Sequence, residues 1–279
     1  MEDENNILGL IAGGTRLPFL VADGAKRAGM KVVCVSLGGT AEASLAEHVD
    51  VFSKVPLARI GVWIRQLKKH GVKRAIMVGR VPKDKLYTRW RIIRNLPDWR
   101  TLRIYYWRLR KNDKRDDKLL GALADELASG GIVLENSTMY CKEYFASKGV
   151  MTKVQPGANV NEDIEFGWKI VKKLGELDIG QAVSVKEKAI MAVEAIEGTA
   201  SMIERTGKFC KKGGWTLLKA EKLKQDPRFD VPCVGPDTIR GLAENGGKCL
   251  VVEADKTLII DKPETIALAN KLGIAIVGY

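Results

Sequence analysis

Histidine is almost absent from this chain, with two residues in 279. His48 precedes Val49 and His70 precedes Gly71, and both read as helix-end residues rather than bases. No Gly-x-Ser-x-Gly motif occurs, so no Ser–His–acid nucleophile is encoded locally. Cysteine is scarce as well. The five thiols (Cys34, Cys141, Cys210, Cys233, Cys249) are scattered, odd in number and never spaced as Cys-x-x-Cys. That argues against a structural zinc site and a disulfide framework, and predicts a reduced, cytoplasmic compartment. No apolar run approaches the ~20 residues that span a bilayer. The opening Met-Glu-Asp-Glu-Asn-Asn is acidic, opposite in charge to a secretory signal. Neither Gly-x-Gly-x-x-Gly nor Gly-x-x-x-x-Gly-Lys-[Ser/Thr] is found, and no acid closes the second expected strand to hold a ribose.

What the chain has is positive charge, concentrated in one place. The net charge is +12, and from Arg80 to Arg115 thirteen Lys/Arg face three acids. Six aromatics are interleaved there: Tyr87, Trp90, Trp99, Tyr105, Tyr106 and Trp107. Basic and aromatic residues together suit RNA, an anionic membrane surface or a phosphorylated lipid about equally.

The rest alternates strand and helix. Ile7–Gly14 reads as a buried strand ending in glycines, followed by a helix over Leu17–Arg27 with Pro18 in its first turn. Strands follow at Lys31–Leu37, Asp50–Ser53 and Arg74–Gly79, with helices near Ala41–Glu47 and Ile60–Lys69. Glycine at the strand ends in this order predicts a parallel, doubly wound sheet. The basic segment leaves that sheet as helices. A helix over Lys118–Ala128, a strand at Ile132 and a short helix over Glu143–Gly149 come next. The Pro/Gly/Asn stretch from Gln155 to Asp163 is the linker candidate. It divides the chain into an N-terminal domain at 1–155, a linker at 156–163 and a C-terminal domain at 164–279. The C-terminal domain opens with an amphipathic helix over Ile164–Leu174, then restarts with strands at Gln181–Val185, Ala189–Glu194 and Thr216–Ala220, with a helix over Thr199–Gly207.

Five carboxylates stand in otherwise core-like sequence: Glu194, Glu197, Asp226, Asp230 and Asp237. An ionised carboxylate is costly to bury unless it is paired, hydrogen-bonded or on a metal. Glu194 and Glu197 face opposite sides on a strand but share a cleft at a strand-to-helix bend capped by Gly198-Thr199. Carboxylates with a hydroxyl suit Mg2+. Asp230, between Phe229 and Val231-Pro232, is the best single candidate for a metal ligand or general base. Asp116-Asp117 reads either as a metal or sugar contact or as first-turn charge of a helix. Gln181 lies beside the Asp178–Gly180 turn, which either stops a helix or brings Gln181 to a base or phosphate.

Several segments, in order, resemble the LpxI family of UDP-2,3-diacylglucosamine pyrophosphatases of lipid A biosynthesis. They are Leu8–Gly14 with Leu17-Pro18, Val78–Val81, Asp116–Leu120, Leu177–Gln181, Val193–Thr199 and Phe229–Gly235. The resemblance implies two α/β domains joined by a linker, the N-terminal one Rossmann-like with a parallel sheet. It implies Mg2+-dependent hydrolysis of UDP-2,3-diacylglucosamine to UMP and 2,3-diacylglucosamine 1-phosphate (lipid X), with Asp230 at the family's essential aspartate. Substrate-binding positions carried over are Gly13, Gly14, Leu17, Pro18, Gly79, Asp117, Gly180, Gln181, Glu197, Gly198 and Thr199. The expected metal ligands are Asp230 and Glu194. The expected setting is a Gram-negative cytoplasm, peripheral on the anionic inner face of the inner membrane, with a homo-oligomer open and nucleic acid not expected. The family usually has Gly where Arg115 stands and a small polar residue or Lys where Arg80 stands. Another nucleotide-sugar enzyme, or a nucleic-acid-binding α/β protein using residues 80–115, are the alternatives.

Overall fold

The computed structural model describes residues 6–81, 96–111, 116–222 and 226–279; of 107–111 and 116–117 only the backbone is described. The chain forms two compact units, each built on its own sheet.

The N-terminal unit comprises the residues up to Lys142 together with Asp226–Asp230. Its sheet has the order β3-β2-β1-β4-β5, all parallel: β1 (Ile7–Ala12), β2 (Lys31–Leu37), β3 (Val51–Val55), β4 (Arg74–Val78) and β5 (Val133–Leu134). β1 is buried along its whole length, as expected of the central strand of a sheet covered on both faces. Between the strands run α1 (Leu17–Arg27), α2 (Ile60–Lys69), α3 (Trp99–Lys111) and α4 (Asp116–Ser129). Ile11, Val35, Trp63, Leu67, Ile104 and Leu127 meet in one core, so α2, α3 and α4 share a face of the sheet. The parallel, doubly wound expectation holds here.

The C-terminal unit holds Glu143–Gln225 and Val231–Tyr279. Its six-stranded sheet runs β6-β13-β11-β9-β7-β8. β9 (Trp215–Lys219), β11 (Gly247–Val252) and β13 (Ala275–Gly278) are parallel; β6 (Gly149–Val150), β7 (Ala182–Lys186) and β8 (Ala189–Val193) complete it antiparallel. Neighbouring residues of each central strand enter different cores. Leu217, Leu250 and Ile276 face α6 (Gly198–Phe209), α7 (Pro236–Glu244) and α8 (Lys262–Leu272). Leu218, Val251 and Val277 face α5 (Val160–Glu176). A small parallel pair, β10 (Cys233–Val234) with β12 (Leu258–Ile259), stands apart from the main sheet.

Two expectations are corrected. The 156–163 stretch is not where the contacts divide; the division falls at 142/143. β6 already pairs with β13, and Asn270 accepts from the Lys153 N–H, so residues before 156 belong to the C-terminal unit. The expected helix over 143–149 is only a 3-10 turn at Lys142–Tyr144, with the chain passing into β6.

Candidate functional site

In an open parallel sheet the natural binding crevice lies beyond the carboxyl ends of the strands, where the strand order reverses. In the N-terminal unit that point is between β1 and β4. Gly13, Gly14 and Gly79 sit there, with Leu17 and Pro18 opening α1 alongside. The two strand ends are tied backbone to backbone: the Gly13 N–H donates to Val78 O at 2.8 Å, Gly14 N–H to Arg80 O at 2.8 Å and Arg80 N–H to Gly14 O at 2.7 Å. A Cβ on Gly13 would stand 2.8 Å from the Gly79 carbonyl carbon, and Gly79 has φ +93°. The glycines thus serve close approach of two strand ends. The Gly13 and Gly14 N–H groups are taken up by backbone carbonyls. The next residue, Thr15, is a non-glycine at φ +96°, the kind of strained position that clusters at functional sites.

The corresponding edge of the C-terminal sheet gathers most of the other expected residues. The start of β7, the ends of β8 and β9 and the N-terminus of α6 all meet there. Glu194, only 6% exposed, accepts from the Thr199 hydroxyl at 2.8 Å and from the Gln181 N–H at 3.3 Å. Gly180 is required beside it, because a Cβ would stand 2.0 Å from the Glu194 carbonyl oxygen. Gly198, at φ +81°, turns the chain from the β8 end into α6. Glu197 lies at the surface, bonded to Arg205 and to the Ala195 N–H. Its own N–H, then Arg205, hold its carboxyl below the usual range. The amide oxygen of Gln181 is buried and finds no partner among the described residues, an unmet acceptor at the site.

Lys219 was not singled out from sequence. It ends β9, is 6% exposed, and donates to the Thr199 hydroxyl at 3.1 Å and to the Cys233 carbonyl at 3.0 Å. Its one sequence signal is a lysine closing the apolar run Trp215–Leu218. A cavity of about 400 Å³ opens beside Thr199 between α6 and α7, lined also by Ile203, Glu204, Thr238 and Gly241.

The remaining acids divide by role. Asp226 accepts from the Arg228 guanidinium at 2.6–3.1 Å, and this lowers its pKa from the ordinary 3.8. It fixes the turn from Pro227 to Phe229. Asp237 is a fully exposed first-turn residue of α7, paired with Arg240 at 2.6 Å. Asp230 is exposed at the end of the 226–230 segment, its N–H on the Asp226 carbonyl. Asp117 lies in the first turn of α4, with its side chain outside the described residues. In the basic segment, Arg100 and Arg103 of α3 both bind the buried Glu126 of α4, while Trp99, Tyr105 and Tyr106 stand 60–78% exposed.

Residues 7–144 match the LpxI N-terminal domain and residues 147–277 the LpxI C-terminal domain. The chain belongs to the LpxI family. A UDP-2,3-diacylglucosamine pyrophosphatase LpxI from Caulobacter vibrioides is 30% identical over 279 residues, covering 97% of this chain and 96% of that protein. The LpxI domain boundary falls next to the 142/143 division of the compact units. Asp230 has a divided allegiance: it lies within the LpxI C-terminal domain match, yet it packs with the N-terminal unit.

No cluster of three or more His, Cys, Asp or Glu occurs among the described residues. Mg2+ needs no such cage, since it keeps waters and takes one or two carboxylates with substrate phosphates. The exposed carboxylate of Asp230 fits that mode. Glu194, the other expected ligand, has both oxygens engaged by Thr199 and Gln181 and braces the sheet edge.

Proposed function

We propose that this LpxI-family chain hydrolyses the pyrophosphate of UDP-2,3-diacylglucosamine, in lipid A biosynthesis of a Gram-negative cell. The products are UMP and 2,3-diacylglucosamine 1-phosphate (lipid X). The observation that carries the reading is the end-to-end match to a relative bearing that activity in its name, with both LpxI domains present in order. In the proposed reaction, water adds to the β-phosphorus, the bond from that phosphorus to the bridging oxygen breaks, and the bridging oxygen leaves with UMP. The water's proton passes to base or solvent.

Asp230 is the residue assigned to this step, either holding the cation or orienting the water. A bound Mg2+ would supply charge neutralisation and a more acidic water. The glycine junction at 13–14 and 79, with Leu17, Pro18 and Asp117, forms one proposed set of substrate contacts. Gly180, Gln181, Glu197, Gly198 and Thr199 form the other. The unpartnered amide oxygen of Gln181 is ready for a donor on the substrate. No described helix is long and apolar enough to cross a membrane. The proposed membrane contact is therefore peripheral, through exposed Trp99, Tyr105 and Tyr106 on the cytoplasmic face of the inner membrane.

The test is direct. Folded protein incubated with UDP-2,3-diacylglucosamine and Mg2+ should release UMP, and excess EDTA should stop it. Absence of UMP would sink the reading; UMP release undiminished in EDTA would remove the cation from it.

A further inference from the structure

The Lys219 side chain is buried and donates to two separate pieces of chain. On one side it donates to the Thr199 hydroxyl, which in turn donates a hydrogen bond to Glu194. On the other it donates to the Cys233 carbonyl. That carbonyl is available because β10 alternates. The Pro232 and Val234 carbonyls accept from the Leu258 and Ile260 N–H groups at 2.9 and 2.8 Å, which turns the carbonyl of Cys233 to the opposite side. Lys219 therefore ties the end of β9 both to the 194–199 bend and to the strand into which the chain runs from Asp230, three residues before Cys233.

A simple core would not place an ammonium here. Desolvating a lysine is costly, and an apolar residue of similar volume is often at least as stabilising. The arrangement gains definition instead. Thr199 Oγ donates to Glu194 while it accepts from Lys219, so both sides of the hydroxyl are engaged. With Lys219 in place the hydroxyl has one orientation toward Glu194, and β10 has a fixed anchor at the Cys233 carbonyl.

We infer that Lys219 is a positioning residue for pyrophosphate cleavage, setting the Thr199 hydroxyl and the place of β10. It acts through those residues rather than on the phosphates. The inference rests on the pyrophosphatase reading above, and the experiment separates the two.

UMP release is measured for wild type, Lys219→Met and Lys219→Arg, with folding followed by circular dichroism and thermal unfolding. Lys219→Met is expected to keep KM within about threefold and to lose about 100-fold in kcat, the scale on which a small misplacement acts. Lys219→Arg, which retains a buried donor, should recover part of that loss. A folded Lys219→Met with wild-type kcat overturns the role. A folded Lys219→Arg in which KM rises while kcat holds overturns it too, even where Lys219→Met fails to fold. A wild type that releases no UMP overturns the pyrophosphatase reading and this inference with it, whereas UMP from the wild type with no effect of the variants overturns only the inference.

Discussion

Glu194 and Asp230 are both acids among apolar neighbours in sequence, yet they fold into opposite settings. Glu194 is buried and held by Thr199 and Gln181; Asp230 is exposed. Exposure is what a residue needs if it is to meet substrate or a hydrated cation. Asp230→Ala is therefore expected to lower kcat by about 10²–10⁴, while thermal unfolding stays within about 0.5 kcal/mol of wild type. Near-wild-type turnover would remove Asp230 from the chemistry. Asp226, four residues earlier, serves the turn. The Arg228 guanidinium lowers its carboxyl pKa below the ordinary 3.8. A lowered folded-state pKa contributes stability above the unfolded value that is lost as pH falls through the folded one. The melting-temperature gap between wild type and Asp226→Asn should be fully present above pH 3.8 and close below it. A gap that widens on acidification would contradict the assignment. The core thiols stay silent: burial pushes Cys34 and Cys249 up to about 12, in keeping with the absence of thiol motifs.

Among the elements, the β7–β8 hairpin shows how a local rule is broken and then compensated. Two-residue hairpin turns of this hand need positive φ and favour Asn-Gly. Here Glu187 and Lys188 occupy φ +51° and +57°. Asp163, 4% exposed on α5, accepts from both of their N–H groups at 3.2 and 2.7 Å. Asp163→Ala should leave two donors unmet and cost about 1–3 kcal/mol, read as a shift of the denaturant midpoint; no shift would mean that the turn holds itself. The hairpin's strands were legible from apolar runs, but its brace was not, because Asp163 lies more than twenty residues away and looks like a linker acid. The same holds at α3. Its arginines were legible as charge, but the buried Glu126 that binds two of them was not. Helix and strand bounds came within a few residues of the sequence reading wherever apolar spacing was strong, as in α1 and β2.

For the whole molecule, the informative segment is 226–230, which follows the C-terminal unit's β9 in the chain but packs with the N-terminal unit. Ser137 donates to the Pro227 carbonyl through its N–H at 3.0 Å and its hydroxyl at 2.9 Å, and Phe229 packs against the N-terminal core. Phe229→Ala should cost about 1–3 kcal/mol, less than a fully buried phenylalanine. In hydrogen exchange the lost protection should appear in β1 and β4 and not in β9 or β11; the reverse pattern would place 226–230 with the other unit. The sequence alone determined the alternation of elements, the parallel N-terminal sheet and the glycine junctions, because backbone propensity, apolar periodicity and turn chemistry act over a few residues. It also carried the family's motifs, because those are contiguous. Only the tertiary structure decided that the units divide near 142, that Gly13 and Gly14 meet backbone rather than open space, and that Lys219 joins Thr199 to Cys233. Each of these depends on which distant groups share a dry space, and a buried charge is placed by its partners rather than by its neighbours in the chain.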